Sequence, residues 1–376
     1  MTDDRLARAA LSRLTEPGDV RLASLVADLG APAVYDHLRS ERDVGGVLTE
    51  VAARLRGLDP LRELEEADAR GIRFVVPGDA EWPAGLGDLE RAEPLQRRGG
   101  TPLGLWLKGR LRLDEACARS VAIVGSRSAT TYGVGVAGEL GAELAGDGVT
   151  VVSGAAFGID QGAHRGALAA RGPTIAVLAC GADRVYPAAH VQLLSYIVDE
   201  GLVVSEVPPG CAPTKLRFLS RNRLIAALST GTVVVEAAVR SGALNTANWA
   251  TRLNRVLMGV PGPVTSAPSE GVHELIRTAR AVLVTRGEDV VELLAPSGSR
   301  MVATRLGERR VSDGLDEQEL RVLDALPVAH GVSVASIART AGLGEDVVRT
   351  SLTILARAGL AECVEGVWRI AGASPS

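Results

Sequence analysis

Six short apolar runs, at residues 121–124, 149–152, 174–178, 202–204, 232–235 and 256–259, constrain this chain more than any other feature. Most of their residues are β-branched, and each run is followed by a small or polar loop and then by an apolar period of helical spacing. Strands this short and this apolar are buried on both faces, and their alternation with helices requires right-handed crossovers. The expectation is an α/β fold built on a doubly wound, mostly parallel sheet, starting near residue 61 and ending near 294. Ligands of such sheets bind beyond the carboxyl ends of the strands. The residues expected on that rim are Gly125-Ser126-Arg127, Ser153-Gly154, Phe157-Gly158, Asp160, Ser205-Glu206 and Glu236.

A second feature should reach the same rim. Between the fourth and fifth runs lies Lys215-Leu216-Arg217-Phe218-Leu219-Ser220-Arg221-Asn222-Arg223, with four cations, one aromatic ring and no carboxylate. Lysine occurs in the chain only at Lys108 and Lys215, against 41 Lys and Arg together, so Lys215 stands out as a point charge. Basic grooves that follow phosphates, with aromatic faces for bases, are how single strands are held. A solvated surface loop is the plainer reading of the same run. Net charge is −4 over 376 residues, so a polyanion would have to be met by a local patch. Gly125, Gly154 and Gly158 would let backbone amides approach a phosphate, and Arg127 would add a forked donor.

Other chemistries fit less well. Residues 133–138 match G-x-G-x-x-G, yet Gly133 comes several residues after the first strand and the second strand ends in Ser153-Gly154, where a dinucleotide site wants an acid. Asp160 and His164 stand four apart on one predicted helix, which suits a helix-start carboxylate and a hydrogen-bonded imidazole, without a nucleophile or a metal-ligand spacing. Cys117, Cys180, Cys211 and Cys363 form no C-x-x-C pair, so neither a zinc site nor a disulfide framework is expected. The start of the chain is charged and amphipathic, with no signal peptide or membrane span in view, and a cytoplasmic protein is expected.

The rim motifs, together with Tyr186-Pro187, Val233-Val234-Val235-Glu236-Ala237, Ser241-Gly242-Ala243-Leu244-Asn245-Thr246 and Val260-Pro261-Gly262, resemble the DNA-processing protein A family (DprA, also called Smf), in order over about residues 70–285. The resemblance implies an extended Rossmann-like core that binds single-stranded DNA, forms a homodimer and loads the RecA recombinase during natural transformation. It implies no enzymatic turnover and no cofactor. By motif position Arg127, Lys215, Phe218 and Asn222 map to the family's DNA pocket, with Arg221 and Arg223 in the same signature. The candidate DNA-binding set is thus Gly125, Ser126, Arg127, Ser153, Gly154, Phe157, Gly158, Lys215, Phe218, Arg221, Asn222, Arg223, Ser241 and Gly242. Two positions depart from the pattern: Leu219 where the family usually has Pro, and His273 where Asn is common.

Flanking segments complete the layout. Residues 1–60 read as a small helical domain, with Leu6, Ala9, Ala10 and Leu14 on one face; a helix-hairpin-helix unit, a sterile-alpha-motif-like unit and a generic helical cap all suit the pattern. Residues 295–313 read as a linker, and residues 314–376 as three helices and a hairpin, the order of a winged helix. Between Leu315 and Ile370 eight Asp and Glu oppose five Arg, so 5 − 8 gives −3. Phosphate repels such a module, which favours a protein-contact or auxiliary role. The expected function is a single-strand-binding recombination mediator. A phosphoribohydrolase-like enzyme on a related fold is the alternative, although residues 261–263 (Pro-Gly-Pro) lack the glycine amides that would bind a monophosphate.

Overall fold

The computed structural model describes residues 3–40, 58–296, 299–300 and 311–372. The chain divides into two compact units, residues 1–302 and 303–376. In the first, nine strands form one sheet: β1 (Ile72–Val75), β2 (Leu105–Gly109), β3 (Ser120–Val124), β4 (Thr150–Ser153), β5 (Thr174–Leu178), β6 (Leu202–Ser205), β7 (Gly231–Val234), β8 (Val256–Gly259) and β9 (Val282–Leu283). Their spatial order is β1-β2-β6-β5-β4-β3-β7-β8-β9. From β6 to β9 every pair is parallel, while β1 and β2 add an antiparallel edge. The six apolar runs of the sequence became β3 to β8, and Val121, Ala122 and Ile123 at their centre are wholly buried.

Chain order reverses at β3, whose neighbours are β4 on one side and β7 on the other. A crevice opens beyond the carboxyl ends of the strands at such a point. Two helices flank it, Thr131–Gly146 after β3 and Ile159–Ala169 after β4. They touch backbone to backbone: a Cβ on Gly141 would meet the Ala163 carbonyl, and one on Gly166 would meet the Gly138 carbonyl. The G-x-G-x-x-G match lies inside the first of these helices, and its Gly138 serves this contact.

The helices Asp3–Leu14, Val20–Leu29 and Ala31–Arg39 bury Ala7, Ala10, Leu11, Leu14, Leu22 and Val34 among themselves. Asp19 caps the second by accepting from the N–H groups of Arg21 and Leu22. Residues 41–57 of the helical domain expected over residues 1–60 lie outside the described residues.

The second unit has helices Glu317–Asp324, Val334–Ala341 and Glu345–Arg357, followed by the antiparallel pair β10 (Ala361–Val364) and β11 (Val367–Ile370). A capping box between Asp316 and Glu319 starts the first helix, and Gly342 in the left-handed region ends the second. Much of the expected linker falls outside the described residues. Among the described residues no helix is long and apolar enough to cross a membrane.

Candidate nucleic-acid interface

The basic run is not a loop, as its composition suggested. It forms the first turns of the helix Lys215–Ala227, capped by Thr214, whose hydroxyl accepts from the Arg217 N–H at 3.2 Å. A helical period sends neighbouring side chains in different directions, so the four cations part company. Lys215 is exposed and, among the described residues, has no ion-pair partner. Arg217 turns to the N-terminal helices, donating to both carboxylate oxygens of Glu16 at 2.9 Å. Arg223 is wholly buried and donates from Nη1 and Nη2 to Glu206, each at 2.6 Å. Arg221 is also buried; its Nη1 donates to the Val177 carbonyl at 2.8 Å. Burial pushes the Arg221 pKa down to about 10, with the Asp160 carboxylate opposing that shift. Of the candidate cations on this helix, therefore, only Lys215 projects from the rim.

A cleft of about 710 Å³ opens beside Lys215 at the switch point. Arg127, exposed after β3, lays its guanidinium over the Phe218 ring at 4.6 Å, and the Tyr186 ring packs on Phe218 at 5.6 Å. Asn222 donates from Nδ2 to the Gly242 carbonyl at 3.4 Å and to Asn245 Oδ1 at 3.3 Å, which ties the helix to the loop after β7. That loop brings Ser241, Gly242 and Arg240 to the wall. Arg240 was missed from the sequence, although its place beside the Ser241-Gly242 motif was the available signal. Like Arg127 and Lys215, it is exposed and has no ion-pair partner among the described residues.

The strand-end glycines serve packing more than anion approach. A Cβ on Gly154 would collide with the Arg221 guanidinium, one on Gly125 with Ile159, and one on Gly158 with the Ser126 carbonyl. Nearby amides are engaged as well: Ser126 N–H donates to the Glu236 carbonyl at 2.6 Å, and those of Gly154 and Ala156 donate to Asp160 Oδ2 at 3.2 and 3.3 Å. The Ser153 hydroxyl, buried, donates to the Ile123 carbonyl at 2.6 Å. Three of the amides at the ends of β3 and β4, those of Ser126, Gly154 and Ala156, are thus taken by the protein's own oxygens. Arg127, Lys215 and Arg240 line the open part of the cleft.

The other ionisable groups are structural. Glu236 is buried and accepts from the Thr130 N–H at 2.9 Å and hydroxyl at 2.6 Å, holding the start of the helix Thr131–Gly146. Burial pushes the Asp160 carboxyl up, against Arg221 and the loop amides. His164 donates from Nδ1 to Thr174 Oγ1 at 2.8 Å, because that hydroxyl itself donates to the Val151 carbonyl. Burial pushes its pKa down to about 3, with His190 and Arg221 adding to the effect. Among the described residues no group of three or more His, Cys, Asp or Glu is placed to hold a metal ion.

The profile of the family described as DNA recombination-mediator protein A matches residues 73–295, all of the sheet but Ile72, and its rim. The chain belongs to that family. A Mycobacterium tuberculosis relative bearing the DprA name is 45% identical over 96% of this chain and 93% of its own length. Protein Smf of Synechocystis is 32% identical over 74% of this chain and 67% of its own. The X-ray structure of DNA processing protein A from Streptococcus pneumoniae matches with a TM-score of 0.63 at 30% identity, covering 77% of this chain and 97% of that one. DNA processing protein A from Helicobacter pylori, whose structure was solved for its single-stranded DNA binding mode, matches with a TM-score of 0.51 at 28% identity over 59% and 95%. The DprA resemblance read from the motifs is therefore borne out, and with it the Rossmann-like core.

Proposed function

We propose that the cleft of this recombination-mediator chain binds single-stranded DNA without sequence preference, and that the chain protects incoming strands and loads RecA on them during natural transformation. One observation carries the binding reading: Arg127, Lys215 and Arg240 line the same cleft as Phe218 without ion-pair partners among the described residues, while Asp160, Glu206 and Glu236 are turned inward. A phosphate chain meets cations there, and an unstacked base meets a ring. The Helicobacter pylori relative's single-strand binding mode supports the same use of this fold.

A homodimer is part of this reading, as is a non-enzymatic role, since the buried carboxylates Asp160, Glu206 and Glu236 have structural partners. The three helices and hairpin of residues 314–376 are read as a winged helix, and residues 1–60 as a helical domain beside the core of residues 61–294. The acidic winged helix serves protein contact in this reading.

Titrating full-length protein with oligo-dT and with duplex of equal length, over a range of salt, tests the proposal. Two or three phosphate contacts give a log–log slope of about −1.4 to −2.1, at about −0.7 per contact for a single strand. Duplex should bind more weakly because its bases cannot reach Phe218. Equal affinity for duplex, or release of free base from nucleoside monophosphates, would refute the reading.

A further inference from the structure

Phe157 is a large apolar side chain held out in solvent, 45% exposed, on the loop between β4 and the helix Ile159–Ala169. Single exposed apolar residues are ordinary, but this one sits on a loop held from beneath at Gly154, Ala155 and Ala156. Asp160 accepts from the N–H groups of Gly154 and Ala156. His190 donates from Nδ1 to the Ala155 carbonyl at 3.0 Å, and its ring meets the Phe157 ring edge-on, with centroids 4.6 Å apart. His190 is itself buried, so it is a support and not a surface partner. The ring is thus presented on a rigid mount.

The segment Tyr186 to His190 connects this mount to the cleft. Its first residue packs on Phe218 and its last on Phe157. Four residues fully extended span at most about 14 Å, and the turn Ala188–His190 shortens that path. Tyr186 between them is 42% exposed. Beyond Phe157 the helix Ile159–Ala169 carries Arg165, exposed and without an ion-pair partner among the described residues.

We propose that Phe157 is a second nucleobase seat: a strand held at Phe218 leaves the cleft across Tyr186 towards Phe157, and Arg165 takes a phosphate beyond it. Successive aromatic faces flanked by cations are how a single strand is tracked without reading its sequence. The proposal rests on the single-strand reading of the cleft and adds to it a direction and a length. His190 is a positioning residue, acting through Phe157.

The test is a titration of full-length protein with oligo-dT of increasing length, comparing wild type, Phe157→Ala, Phe157→Trp, Arg165→Ala and Lys215→Ala. Phe157 is exposed, so its replacement leaves the fold intact. Phe157→Ala should match wild type on the shortest oligomers that bind and lose about five- to a hundredfold on longer ones, the worth of one base–aromatic stack. Phe157→Trp should keep the long-oligomer affinity, and Arg165→Ala should make the salt slope shallower by about 0.7 on long oligomers alone. In photocrosslinking with 5-iodouracil placed at successive positions, one position should map to Phe157 and another to Phe218 or Tyr186. Phe157→Ala equal to wild type at every length, while Lys215→Ala still weakens binding, would overturn the second seat and leave the cleft standing. Wild type that binds no oligo-dT would overturn both.

Discussion

The outer and inner cations around the cleft have opposite fates. Arg127, Lys215 and Arg240 face solvent without ion-pair partners among the described residues, whereas Arg217, Arg221 and Arg223 point into protein and meet Glu16, the Val177 carbonyl and Glu206. A single helix, Lys215–Ala227, contributes to both sets. Local charge density therefore overstates the charge available to a ligand. Outer residues should govern DNA affinity with little effect on folding, and inner residues should do the reverse.

Arg223→Ala strikes the inner set hardest. It leaves the Glu206 carboxylate buried without its cation and should cost about 3–5 kcal/mol in urea unfolding. Replacing both partners, as in Arg223→Met with Glu206→Leu, should recover most of that loss, because the pair and its apolar substitute are often close in stability. If the single variant is as stable as wild type, the division between the two sets fails at its most buried member.

Acid should probe the layer beneath the rim. His164 stays neutral in the folded protein down to about pH 3, while the unfolded chain takes up that proton near pH 6.5. The unfolded state thus binds more protons between these values. The stability contributed by neutral His164 is complete above pH 6.5 and is lost as pH falls towards 3. At pH 5 the loss is about 2 kcal/mol, and His164→Asn should flatten the urea midpoint between pH 7 and pH 5. An equally steep dependence in that variant would assign the acid sensitivity to another group.

Within the outer set, stacking and charge separate. Phe218→Ala should weaken oligo-dT binding by about 1–3 kcal/mol with an unchanged salt slope, and Lys215→Ala should make the slope shallower by about 0.7. Because both side chains border one cleft, the double variant should fall short of the sum of the singles. Strict additivity at two salt concentrations would place them on different nucleotides.

Arg217→Ala should do least. Its pair with Glu16 is partly exposed, with the Glu16 side chain 37% accessible, so screening leaves roughly 0.2–1 kcal/mol of stability. Its salt slope for DNA should equal that of wild type. A shallower slope would move Arg217 into the outer set.

The sheet was legible because strands buried on both faces leave an unbroken apolar signature, and β5 and β8 fall on the residues expected. The hairpin β10–β11 was legible too, since Glu365 and Gly366 both adopt the positive φ that a tight turn between strands needs. The orientation of the basic run was not. Its inward arginines are balanced by Glu206, 17 residues before Arg223, and by Asp160, 61 before Arg221, and one stretch of sequence does not show such distant partners. Helical period was present in residues 215–227, with Thr214 as a cap, but the density of charge was read as a basic run for a polyanion, with a solvated loop as the plainer alternative. The strand-end glycines misled for a related reason: what they make room for, such as the Arg221 guanidinium, arrives from elsewhere in the chain.

The contact between the helices Thr131–Gly146 and Ile159–Ala169 has a mechanical consequence. With Gly138 and Gly141 against Gly166 and Ala163, no side chains intervene to slide or compress. These helices follow the strand ends that carry Arg127 and Phe157, so those two residues ride on one rigid jaw. The opposite jaw, the helix of Lys215, is bolted down at Glu16 and Glu206. On the proposed reading, a vice with both jaws fixed would grip a strand by the reach of its long side chains, with its gauge set beforehand.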